Sequence, residues 1–135
     1  MLSALMSGLM FTSCSSDDGN TISGPLEGKW NFDNVSYTVS GITSPEEDYE
    51  GNQTGCPADY VEFVTGGVYH EGDYTNTACE LSVDNGTWVR TNNTITINGV
   101  EDGTIVKLTE TALKVKYTTT EEGFTVTANI SFTKA

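Results

Sequence analysis

Residues 28–39 read "GKWNFDNVSYTV", and the spacing of apolar side chains in this stretch decides what fold the chain can make. Trp30 and Phe32 alternate with polar neighbours, and so do Val35, Tyr37 and Val39. Each half therefore has the two-residue period of a half-buried strand. The two halves are out of phase by one position. A β-bulge near Asp33 and Asn34 would return both sets to one face and bend the strand, as closing a sheet into a barrel requires.

The same period runs through the chain on the C-terminal side. In "FTVTANISF" (124–132), Phe124, Val126, Ala128, Ile130 and Phe132 share a face, with threonines, Asn129 and Ser131 on the other. In "LKVKY" (113–117), Leu113, Val115 and Tyr117 point one way and Lys114 and Lys116 the other. "TITI" (94–97) contributes Ile95 and Ile97. No window longer than a turn or two has helical spacing. Turn residues separate the runs: "TGG" at 65–67 joins "YVEFV" to "VYHEGDY", "DNG" stands at 84–86, "TNN" at 91–93 and "EEG" at 121–123. Each supplies Gly, Asn or Asp where a positive φ is needed. The expectation is an all-β fold: a small antiparallel up-and-down β-barrel of about eight strands over residues 25–135. One link is long, "SGITSPEEDYEGNQTG" at 40–55, and long links in compact domains are usually functional or disordered.

The stretch before the domain gives an address. Residues 1–13 carry no charge and are too short to span a membrane as a helix. They suit the apolar part of a signal peptide. Phe11, Thr12 and Ser13 then lead to Cys14, and small residues ahead of a cysteine resemble the bacterial lipobox, whose cysteine is lipidated. Phe11 stands where a lipobox usually has Leu, and no basic n-region precedes it, so Met1 need not be the true start. The rival reading is a secretory signal cut elsewhere, with Cys14 an odd thiol. Residues 14–24 are polar and read as a flexible tether. Ser15, Ser16, Asp17 and Asp18 resemble the acidic export signal of Bacteroidetes surface lipoproteins; a plain solvated linker is the other reading.

Composition narrows the function. The formal net charge is −13, so a nucleic-acid partner is not expected. An exported chain meets an oxidising compartment, so Cys56 and Cys79 are expected to form a disulfide. A metal site is not expected, since no C-x-x-C is present and His70 is the sole histidine. No G-x-S-x-G accompanies His70, and either register of "VYHEGDY" fits, with His70 in or out. Glu46, Glu47, Asp48 and Glu50 lack the alternating pattern of a calcium loop and read as solvated charge. No enzyme activity and no cofactor are expected.

Taken in order, "LEGKWNF", a cysteine before "DYVEF", "GVYHEGDY", a second cysteine and "NGTWVRTNNTITI" resemble the lipocalin-like domains of Bacteroidetes lipoproteins. Gly28-Lys29-Trp30 is the most specific piece, because lipocalins open their first strand with Gly-x-Trp and the Trp closes the bottom of the barrel. The resemblance implies an up-and-down barrel on a lipid anchor and no particular activity. The expected function is binding of a small hydrophobic ligand at the open end, from a lipid-anchored position on the outer membrane, at the cell surface or on the periplasmic face. The ligand-contact candidates are Trp30, Phe32, Phe63, Trp88 and Tyr117 from the strands and Ile42 and Tyr49 from the loop mouth. With Phe124 and Phe132, the strand aromatics should point inward, which favours a mostly filled barrel with a shallow end pocket. The alternative is a non-enzymatic interaction lipoprotein whose filled barrel presents loops to a surface partner.

Overall fold

The computed structural model describes residues 21–99 and 101–135. Residues 1–13, read above as a signal peptide, Cys14 and Ser15–Asp18 lie outside the described residues. Eight principal strands follow one another in the chain: β1 (Gly28–Val39), then, after two dipeptide strands β2 (Ile42–Thr43) and β3 (Glu47–Asp48), β4 (Tyr60–Val64), β5 (Val68–Tyr74), β6 (Leu81–Thr91), β7 (Thr94–Ile97), β8 (Glu101–Leu108), β9 (Ala112–Glu121) and β10 (Phe124–Lys134). Each principal strand pairs antiparallel with the next, and β10 pairs back onto β1, so the sheet closes into an up-and-down barrel.

The bulge lies where the sequence puts it. Ser131 stands opposite Asn34 and Phe132 opposite Phe32, which leaves Asp33 as the extra residue of β1. Trp30, Phe32, Val35, Tyr37 and Val39 thereby share the inner face with Phe132, Ile130, Ala128 and Val126 of β10. A single inserted residue reconciles two hydrophobic phases and adds the bend that closure needs.

Three of the four expected turns form. Gly66 and Gly67 take φ of 100° and 91° in the β4–β5 turn, a conformation that side chains with a Cβ rarely adopt. Asn92, and the pair Glu122 and Gly123, supply positive φ at the β6–β7 and β9–β10 turns. The turn expected at Asp84-Asn85-Gly86 does not exist. Those residues lie inside β6, paired with Glu71, His70 and Tyr69. The strand tolerates them because seven residues of unbroken pairing with β5, Leu81 to Thr87, outweigh a weak local turn preference.

The long link is not a free loop either. β4 reaches only Gly28–Asn31 of β1, so the upper half of that edge lacks a principal partner. The link supplies one: β2 pairs Thr43 with Thr38 and Ile42 with Val39, and β3 pairs Asp48 with Asn34 and Glu47 with Val35. Tyr49 N then donates to Asp33 O (3.0 Å) and Asn52 Nδ2 to Phe32 O (3.1 Å). Bonds that would otherwise be left open on a sheet edge are satisfied locally.

The lower end of the barrel is solid. Leu26, Trp30, Ile95, Ile105, Leu108 and Leu113 are all fully buried there. Trp30 Nε1 donates to Leu26 O (2.9 Å), and the Lys134 ammonium sits 4.6 Å from the Trp30 ring. The tether expected over residues 14–24 is too long at its far end. Thr21–Ser23 run beside Leu108, with Ser23 N donating to Leu108 O and Leu108 N to Thr21 O, because Ile22 is an apolar side chain that packs against this floor. Phe124 was expected inside and is 62% exposed: it keeps the inner-face parity of β10 but follows the turn, above the rim.

Candidate ligand-binding cavity

Above the floor the barrel encloses a cavity of about 720 Å³. Phe32, Val61, Phe63, Leu113, Val115, Ile130 and Phe132 form its lower walls. The rings brace one another: Phe32 and Phe132 centroids are 4.7 Å apart, Phe63 and Tyr69 5.5 Å, and Phe63 and Trp88 5.3 Å edge-on. Such ring pairs contribute beyond their buried area.

The cavity is deeper than the shallow pocket expected from the aromatic content, since it reaches Leu113 and Phe132 near the floor. Small residues on the inner face explain the room. Ala128 stands opposite Tyr117 in the wall. Gly103 lies beneath the Tyr117 ring, where a Cβ would come within 2.7 Å of it. That ring therefore lies along the wall instead of crossing the lumen.

The mouth is polar on one side. Glu71 on β5 and Asp84 on β6 stand directly opposite each other in the ladder, and both line the cavity. Tyr69 Oη donates to Glu71 Oε1 at 3.3 Å. Tyr49, arriving from the long link, stacks on Phe32 with centroids 4.2 Å apart. Burial raises the Tyr49 hydroxyl pKa, and the negative charges of Asp59, Glu71 and Asp73 raise it further.

Asp59 is buried beneath this rim, accepting from Tyr74 N at 2.9 Å. Loss of solvent raises its pKa, and a hydrogen bond with Asp73 and the charges of Asp73 and Glu71 act the same way; the Tyr74 amide opposes them. A folded-state pKa above the unfolded value means that folding takes up a proton. Stability is then gained as pH falls through the raised value and levels off below the unfolded value of about 3.9. As the pH is lowered toward the unfolded value, the melting temperature of the parent is expected to gain on that of Asp59→Asn. A difference between the two proteins that does not change with pH would remove Asp59 as the source.

Phe32, Phe63, Tyr117 and Tyr49 come together in the cavity wall as the sequence suggests. Trp30 does not: it is the floor beneath, with no exposed surface. Trp88 lies behind Phe63, its Nε1 donating to Val64 O at 2.9 Å. Ile42 stands outside at the rim, 75% exposed, because pairing with Val39 fixes it above the opening. Sequence reasoning missed Tyr69, Glu71 and Asp84. A signal for Tyr69 was present. The Thr65–Gly67 turn sets Tyr69 opposite Phe63, so an inward Phe63 carries Tyr69 and Glu71 inward and His70 outward. His70 Nδ1 lies 2.6 Å from Asn85 Oδ1, on the outer face.

Cys56 and Cys79 are bonded, with Cα atoms 5.4 Å apart, and tie the end of the long link to the β5–β6 connection beside the mouth. Among the described residues, no group of three or more His, Cys, Asp or Glu is arranged to hold a metal ion.

Residues 26–115 match the family described as "Lipocalin-like domain". No curated protein matches the chain. Among solved structures, a deswapped triple mutant of the bovine odorant binding protein is similar, with 17% identity and a TM-score of 0.45 over 82% of this chain and 74% of that one.

Proposed function

The chain belongs to the lipocalin-like domain family, and from that premise we propose that it is a lipid-anchored carrier that holds a small, largely hydrophobic molecule inside its barrel. The cavity carries this reading. Its volume of about 720 Å³ falls within the range of small-molecule sites, about 300–1,000 Å³, and its lower walls are rings and aliphatic side chains. The other reading, a filled barrel that serves only to display loops, needs an interior without such a space.

Ala128→Trp tests the proposal. Ala128 lines the cavity, so an indole there is expected to take up space within the lumen. Binding of the neutral apolar dye N-phenyl-1-naphthylamine, read by its fluorescence, is expected in the parent protein and to fall at least roughly tenfold in the variant. A parent protein that leaves the dye dark removes the carrier reading. Binding unchanged in a folded variant places the dye elsewhere.

The anchor belongs to the same proposal. Cys14 follows an uncharged apolar run and precedes a polar segment, the order that a lipidated, tethered domain needs. The surface of the outer membrane, in a bacterium of the Bacteroidetes type, is the location that Ser15–Asp18 suggests. Metabolic labelling with a fatty acid is expected to mark the parent protein and not Cys14→Ser; an unlabelled parent rules the anchor out.

A further inference from the structure

The lysines and the arginine of this chain are gathered toward one end of the barrel. From Trp30 to Val89 the sequence has none. Five of the six flank fully buried side chains of the floor: Lys29 precedes Trp30 and Lys134 pairs with it, Arg90 pairs with Ile95, Lys107 precedes Leu108, and Lys114 follows Leu113. Lys116 stands two residues further along β9. None of these side chains is buried. The carboxylates at the same level are Glu27, Glu62 opposite Lys29, and Glu110 in the β8–β9 turn. The other end has the reverse character. The long link and the turns beside the mouth carry Glu47, Asp48, Glu50, Glu80 and Glu122, all exposed, with no lysine or arginine.

Lys107 and Lys114 stand directly opposite each other on the outer face, where like charges destabilise a ladder. Among the described residues the one ion pair is Lys114 with Glu46, at 3.8 Å. The floor is also where the N-terminal chain arrives. Thr21–Ser23 run beside Leu108, and Cys14 comes seven residues before Thr21, within about 25 Å of extended chain. An anchor at Cys14 would keep the cationic end of the barrel, and not the acidic one, close to the membrane.

We infer that the floor end is a docking face for the anionic headgroups of a lipid membrane, so that the barrel stands floor-down with its mouth turned away from the surface. This rests on the anchor proposed above and adds the orientation. Each lysine or arginine close to an anionic bilayer contributes about 1 kcal/mol. A carboxylate brought to the same place is repelled. The field reaches only about 10 Å at 0.1 M salt, whereas the ten residues of β9 span about 30 Å. One end of the barrel therefore meets the surface at a time, and the net charge of −13 does not cancel the local preference.

The full chain with Cys14→Ser and an N-terminal polyhistidine tag, held on vesicles by a nickel-chelating lipid, tests the orientation whether or not a cell acylates Cys14. A fluorophore is attached at Thr111→Cys, in the β8–β9 turn at the floor, or at Thr120→Cys, near the mouth end of β9, and energy transfer to an acceptor on lipid headgroups is measured. The ratio of floor to mouth transfer is expected to rise at least roughly twofold from phosphatidylcholine vesicles to vesicles that also contain phosphatidylglycerol. The rise is expected to vanish at about 1 M salt, where the field reaches only about 3 Å, and to shrink in Lys107→Gln/Lys114→Gln, which removes a like-charge pair and so is expected to fold. A ratio indifferent to lipid charge, or a rise that survives high salt, overturns the docking face. A fatty-acid label missing from the parent protein removes the natural anchor and leaves the docking face to be decided by these ratios.

Discussion

Trp30→Ala is expected to lower the stability of the barrel by about 3–5 kcal/mol, the usual cost of deleting a fully buried large aromatic side chain. Small domains have about 5–15 kcal/mol in total, so a large share of the fold's margin goes with one ring. The position explains the size of the effect. Trp30 has no exposed surface, and Leu26, Ile95, Leu108 and Leu113 are fully buried in the same core cluster. Its Nε1 also satisfies Leu26 O, and its face holds the Lys134 ammonium. The alanine variant loses all three: apolar burial, a partner for a buried carbonyl, and the cation's seat. Trp30→Phe keeps most of the burial and is expected to lose less, about 1–3 kcal/mol, chiefly for the carbonyl left unpaired. Urea titration of the three proteins measures both differences. A loss below about 1 kcal/mol in the alanine variant would show that the floor does not depend on this ring.

The second large effect concerns the disulfide. Breaking Cys56–Cys79, by reduction or by Cys56→Ser/Cys79→Ser, is expected to cost about 3 kcal/mol, since the bridge closes a loop of 23 residues in the unfolded chain. Strand content of the folded protein should change little, because the bridge joins two connections and no strand. The local effect is more specific. Cys56 ends the segment from Tyr49 onward that bonds Asp33 and Phe32 of β1, and Asn52 Oδ1 takes the Asp59 amide at 2.8 Å. Limited proteolysis of the reduced protein is therefore expected to cut first between residues 49 and 59. A urea midpoint unmoved by reductant would separate the bridge from the stability of the barrel.

The bulge, the strand order, the inward set of β9 and the role of Trp30 were legible in the sequence because each follows from alternation or from one specific motif. The errors have a common cause. Asp84-Asn85-Gly86 looks like a turn to any local rule, and only its pairing with β5 makes it strand. Phe124 has the right parity but the wrong height, and parity contains no information about where a rim falls. The depth of the cavity was hidden for a related reason. A count of inward rings cannot tell a ring that crosses the lumen from one that lies over a glycine, as Tyr117 lies over Gly103. The acidic wall was missed because the register of "VYHEGDY" was left open, and both carboxylates depend on it.

The pairing of the first principal strand with the last bears on how the chain folds during synthesis. Most ladders join neighbours in sequence and need only short loops to close, so they form early. The seam between β1 and β10 is different: Lys134 Nζ donates to Glu27 O across 107 positions. Until β10 docks, β1 waits with an unpaired edge of backbone amides and carbonyls, the kind of edge on which unfinished chains aggregate. Closure of this ring is then the slow, late event of folding, and the interior becomes sealed only when β10 docks on β1.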